Sequence, residues 1–309
     1  MMAMRRWLPF TSPACGGGRE RSEAGEGKSA GAEQVAAPPP RPSPASGRGG
    51  RKCGALIFII ALICVAAPTL AAEIPLPDRK SGYDFMGRET RAMQDDDTAN
   101  PGMLWVLDGE AQWNRKDGTA NASCADCHGD ARTSMKGVAA RYPSYDATRG
   151  KLLDLEARIN LSRTEHQKAA PLPFESKALL ALTAYVGRQS RGMPIEIKDD
   201  AQTRSAIAAG KKLFEQRQGQ LNLSCAQCHD DNWGQKLAAA PIPQAHPNGY
   251  PLYRLEWQSL GSLQRRLRNC LIGMRAEPYA YGAQEFVELE LYLMWRARGL
   301  PIETPAVRP

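Results

Sequence analysis

Histidine is scarce in this chain: there are four among 309 residues, and two of them close Cys-x-x-Cys-His strings. Beyond residue 72 cysteine is as sparing. Four of the five belong to those strings, and Cys270 stands alone. No apolar run is long enough for a comfortable membrane span; the best, 54–67, is too short. Convincing period-two alternation is also missing, which argues against a strand-built fold. A basic stripe is missing too. The formal net charge is +7, but residues 73–309 hold 31 basic against 29 acidic side chains. Most of the excess lies in the first 72 residues, so nucleic-acid binding has no support.

Those first 72 residues read as a leader. Residues 11–50 are rich in Gly, Pro, Ser and Ala and cannot bury a core. Arg48, Arg51 and Lys52 then precede the apolar run, and small residues follow it, which is the pattern of a secretory signal peptide over 48–72. The expected destination is the periplasm. A signal beginning so far from Met1 points to a downstream translation start, with a genuine extension as the alternative.

What is present is a motif that occurs twice: C-A-D-C-H at 124–128 and C-A-Q-C-H at 225–229. This is the c-type haem attachment sequence. Cys124 and Cys127, then Cys225 and Cys228, would each bond one haem c covalently, with His128 and His229 as the proximal iron ligands. A zinc site would not require a histidine beside both pairs. The expectation is two covalently bound haem c groups.

The halves resemble each other beyond these strings. N-A-S-C-A-D-C-H answers N-L-S-C-A-Q-C-H, Y-P-S-Y (142–145) answers Y-P-L-Y (250–253), and Arg-Gly-x-Pro closes a helical pattern near 191–194 and 298–301. Apolar residues at helical spacing dominate 176–186 and 285–295. The expected fold is all-α: two tandem class I cytochrome c-like domains from an internal duplication, 73–198 and 199–309. A polar join is expected near 196–203, and each attachment motif at the end of its domain's first helix.

Aligning Tyr142 with Tyr250 and running on without gaps sets Arg158 on Arg266 and Ser162 on Cys270. The lone cysteine therefore holds a repeated position, in the region where a small cytochrome's second axial ligand is sought. A thiolate can ligate haem iron. The plain alternative is a buried thiol acting as a small hydrophobe. Arg265, Arg266 and Arg268 precede Cys270 within five residues and Arg275 follows, and nearby guanidinium groups favour a thiolate and an oxyanion. Met274, one turn on, is a rival ligand. His246 is expected in an exposed proline-rich loop.

Both attachment motifs, the stretches R-I-N-L-S-R-T-E-H-Q and R-L-R-N-C-L-I-G-M-R-A-E, and the closing W-R-A-R-G-L-P-I-E resemble the SoxA family, the A subunits of sulfur-oxidising cytochrome complexes. The resemblance spans 78–303. It implies an L-cysteine S-thiosulfotransferase that pairs with a SoxX-like monohaem cytochrome and oxidatively joins thiosulfate to a cysteine of a SoxYZ-like carrier, passing two electrons to an acceptor cytochrome c. It implies that Cys270 ligates the second haem and carries a persulfide, and that Arg266 holds substrate. The family's dihaem members place a cysteine ligand for the first haem where this chain has Ser162. His166, one turn later, is a candidate replacement; Met193 is another, although its repeat partner, Leu300, suggests packing. The rival functions are a stand-alone thiosulfate dehydrogenase forming tetrathionate and a dihaem electron carrier without substrate chemistry.

Overall fold

The computed structural model describes residues 74–309. The leader and the signal peptide expected at 48–72 lie outside the described residues. In the first half, helix α1 spans Arg88–Asp95, α2 Met103–Asn114, α3 Cys124–His128, α4 Ala131–Ser134, α5 Leu155–Ser162 and α6 Lys177–Arg188. The second half repeats the plan with α7 Arg204–Glu215, α8 Cys225–His229, α9 Leu263–Gly273 and α10 Gln284–Arg296. Strands β1 Ser144–Asp146 and β2 Lys151–Leu153 pair in the first half; β5 Leu252–Arg254 and β6 Ser259–Gly261 are their twins. A small hairpin, β3 Lys236–Leu237 with β4 Ala240–Pro241, and β7 Val307–Arg308, parallel to β5, complete the strands among the described residues. At two or three residues each, they are too short to leave a period in the sequence. The fold is helical, and the duplication expected from the sequence is built into its elements.

The two halves use the same packing device. Helices α2 and α6 cross at Gly109, where a Cβ would lie 2.2 Å from the Ala181 carbonyl oxygen. Helices α7 and α10 cross at Gly210, where it would lie 2.1 Å from that of Glu288. Aromatic pairs flank both crossings, Trp113 with Tyr185 (centroids 5.9 Å apart) and Phe214 with Tyr292 (5.5 Å).

One expectation needs correcting. The attachment motifs do not end the first helix of each half. Helix α2 stops at Asn114, a turn with Gly118 at φ 66° and Asn121 at φ 47° follows, and a new short helix begins at Cys124. The cause is local. Ser123 and Asp126, like Ser224 and Gln227, form reciprocal capping boxes that start a helix at the first cysteine. The join near 196–203 is anchored to both halves. Ile195, Ile197 and Thr203 are buried, and the backbone at Arg191 and Pro194 bridges to Ile302 and Pro301.

The halves clasp each other where α5 and α9 begin. Asp154 caps α5 by accepting the Ala157 N–H and also accepts from Gln264 Nε2 at 2.8 Å. Ser262 caps α9, and its own N–H donates to Glu175 at 3.2 Å. Burial pushes the Glu156 and Glu290 carboxyls here well above the usual carboxylate range, with Asp154 reinforcing it. The N-terminal segment and the tail also meet. Arg79 Nη1 donates to the Arg298 carbonyl (2.7 Å), and Asn100 Nδ2 to that of Pro305 (2.9 Å).

Candidate functional site

The capping box of α8 presents His229 in that helix's last turn. His229 Nδ1 lies 2.6 Å from the Pro243 carbonyl oxygen, which can only accept, so Nδ1 carries the proton and Nε2 is bare. Burial pushes this imidazole down to about 4, with Arg266 and Arg296 adding to the effect. A neutral ring with a fixed tautomer is the form that binds iron. His128 has no such carbonyl partner among the described residues. Its following stretch, 129–141, is shorter than 230–249, which contains the β3–β4 hairpin and Pro243.

Helix α9 carries Arg266 and Cys270 one turn apart on one face. Cys270 is a half-buried free thiol. It is close enough to Cys225 and Cys228 to act on both: burial first, then Cys270, pushes Cys225 up to about 12 and Cys228 upward. Arg266 acts in turn on His229. This face of α9 therefore looks onto the second attachment motif. The other arginines point elsewhere. Arg265 stacks on Trp257 (4.3 Å to the centroid) and Arg268 on Tyr281 (4.8 Å), while Arg275 is exposed beyond the helix end. Met274 is buried against Leu271 and Phe286.

The first half holds an open apolar cavity of about 260 Å³, bordered by Cys124, Cys127, His128, Ser162 and His166. Two thiols and an imidazole on the wall of a ligand-sized cavity fit a haem c. Residues Arg163–Gln167 continue α5 as a π-turn. From the Asp154 cap to left-handed Lys168, the first-half helix is one residue longer than its twin from Ser262 to Arg275. The π-turn absorbs that residue and keeps His166 on the cavity wall. Met193 is not on that wall; its methyl lies against Gly137.

His246, expected to be exposed, is 8% exposed. Its Nδ1 donates to the Lys80 carbonyl (2.8 Å), because residues 78–81 cover the loop that composition alone would leave in solvent. Burial, with Arg296, Arg79 and His229 nearby, pushes it down to about 4. Between pH 6.5 and 4 the unfolded chain takes a proton that the folded chain refuses, so stability falls as pH drops through that window, by up to about 3 kcal/mol for this group. His246→Gln is expected to shallow that loss, measured as denaturant midpoints at pH 7 and 4.5; equal slopes in both proteins would refute it.

Pro243 and the buried Arg296–Asp230 ion pair behind His229 were not singled out from sequence. The first acts through a backbone carbonyl, which has no residue signature. The second joins side chains far apart in the chain.

A family model described as SoxA/TsdA, cytochrome c domain, matches residues 108–195 and 209–302, one attachment motif in each segment. The L-cysteine S-thiosulfotransferase subunit SoxA of Pseudaminobacter salicylatoxidans is 41% identical over 235 residues, 76% of this chain and 82% of that one. Its namesake in Rhodovulum sulfidophilum is 38% identical over 250 residues, 80% and 86% of the two chains. The crystal structure of SoxXA from P. pantotrophus is similar at a TM-score of 0.73 and 35% identity, covering 75% of this chain and 87% of that one.

Proposed function

This chain belongs to the SoxA/TsdA cytochrome c family, and from that membership we propose that it is the SoxA-type subunit of an L-cysteine S-thiosulfotransferase. It works in the periplasm with a SoxX-like cytochrome, on thiosulfate and a SoxYZ-like carrier. The observation that carries this reading is Cys270 and Arg266 sharing one face of α9, turned toward the second attachment motif.

Cytochrome c domains carry haem c. Here we propose two, held by Cys124, Cys127 and His128 and by Cys225, Cys228 and His229. When bound, haem c supplies an iron that accepts electrons one at a time. In the net reaction a sulfur–sulfur bond forms between the outer sulfur of thiosulfate and the carrier thiol. The carrier S–H bond breaks, one proton leaves to solvent, and two electrons pass to the acceptor cytochrome c. Cys270 would hold the iron of the second haem and would carry the persulfide. The Arg266 guanidinium offers paired donors to the sulfonate. Pro243 holds His229 in the tautomer that iron needs.

The test is product analysis. The complex with thiosulfate, acceptor cytochrome and carrier should yield a carrier heavier by one thiosulfonate. Tetrathionate formed without carrier would point instead to a thiosulfate dehydrogenase. For the first haem we propose His166 as the distal ligand, since it borders the cavity where Ser162 offers only a neutral hydroxyl. His166→Ala is then expected to change the low-temperature EPR signal of one haem while conjugation stays within about twofold of wild type. An unchanged spectrum would exclude His166.

A further inference from the structure

The repeat gives each residue around Cys270 a twin around Ser162, and one twin pair changes the sign of its charge. Strand β1 ends at Asp146 and β5 at Arg254, each in an antiparallel hairpin of the same register, Asp146 opposite Lys151 and Arg254 opposite Ser259. On the helices that follow, Arg158 and Arg266 occupy matching places, each one turn before Ser162 or Cys270. In the first half these two positions touch: Arg158 Nη1 is 3.0 Å from Asp146 Oδ2, and Arg149 Nη1 reaches the same oxygen at 3.0 Å. The carboxylate neutralises the guanidinium there. In the second half the carboxylate's place is taken by a second guanidinium, and the place of Arg149 by Trp257, 5.3 Å beneath Arg254. A location that cancels charge beside the first haem motif concentrates it beside the second.

Arg254 is held in place. Its Nε donates to the terminal backbone oxygen of Pro309 at 2.9 Å, and its side-chain carboxylate neighbour, Glu256, is 3.7 Å away and 65% exposed. Arg266 has no carboxylate partner among the described residues. Arg254, Arg266 and Cys270 all act electrostatically on buried Tyr250, and burial and then Arg266 loosen the Arg254 proton. Two part-buried like charges repel unless an anion lies between them. A dianion with several terminal oxygens suits two planar forks.

We propose that Arg254 is the second substrate-binding residue, forming with Arg266 a two-guanidinium clamp on the sulfonate end of thiosulfate beside Cys270. The clamp rests on the transferase reading for its ligand. Its test is equilibrium binding of thiosulfate to the holo-complex by calorimetry, without carrier or acceptor so that nothing turns over, alongside conjugation kinetics. R254Q is expected to raise Kd and KM about tenfold to a hundredfold while kcat changes less than about threefold. R254K keeps the charge but loses the fork, and should fall between R254Q and wild type. Wild-type affinity in R254Q overturns the clamp, as does equal weakening in R254Q and R254K, which would make the Pro309 link the cause. Should R254Q not fold, R254K decides alone, and unchanged affinity there overturns the clamp. A wild-type complex that binds thiosulfate but conjugates nothing would sink the transferase reading instead, with the binding comparison still deciding the clamp.

Discussion

Cys270→Ala is expected to lower carrier conjugation by at least about a thousandfold while both proposed haems stay attached. The substitution removes one half-buried sulfur from α9 and leaves both attachment motifs intact, so the fold should lose only about 1 kcal/mol. The chemistry loses its proposed ligand and sulfur carrier together. Haem content by absorbance and thiosulfate-dependent carrier mass are the two readouts. Undiminished conjugation by a two-haem C270A protein would remove Cys270 from the mechanism. Mass spectrometry of the untreated protein should find an additional sulfur on the Cys270 peptide, and none on any peptide of the variant.

Gly210→Ala is expected to cost at least about 3 kcal/mol, lowering the melting temperature by roughly 6–12 °C. Helix propensity alone argues the opposite way, since alanine is favoured over glycine inside a helix by about 1 kcal/mol. Packing wins because the new Cβ would meet backbone, 2.1 Å from the Glu288 carbonyl oxygen and 2.7 Å from Tyr292 Cβ, and a backbone carbonyl cannot swing aside. Helices α7 and α10 must part, which loosens Phe214 and Tyr292. Phe214 sits 6.5 Å from the His229 ring, so the second haem's spectrum should shift as well. Gly109→Ala should destabilise similarly through Ala181, but disturb the first haem and spare conjugation. Calorimetry and conjugation rate on the two variants check both halves of this expectation. A stabilised Gly210→Ala protein would show that the crossing relaxes freely.

The residues legible in the sequence are those whose signals are contiguous or repeated. Cys124–His128 and Cys225–His229 are strings, and Cys270 gained its meaning from Ser162 by counting along the repeat. Helical spacing could already have separated Arg266, one turn before Cys270, from Arg265 and Arg268, whose side chains rest on Trp257 and Tyr281. Counting also had a limit. The ungapped alignment holds through Ser162 and fails after the π-turn at Arg163–Gln167, because one extra residue there leaves no mark in composition. His246 was misplaced for another reason. Its loop looks solvent-exposed by content, and what buries it is the segment around Lys80, from the far end of the described chain. Long-range covering of this kind has no local signal.

That covering segment bears on how the molecule comes to be folded. The Arg79–Arg298 bond joins positions 219 residues apart, and Lys80 closes on Gln244 and His246, next to the carbonyl that orients His229. Contacts of such sequence separation form slowly, because the entropy of closing so large a loop is lost before they contribute anything. The backing of the second attachment motif is therefore expected to be among the last parts of the chain to close. Late closure would leave Cys225, Cys228 and His229 open on a short capped helix, and with them an interval in which a bulky prosthetic group could be joined to the chain before the wall behind it sets.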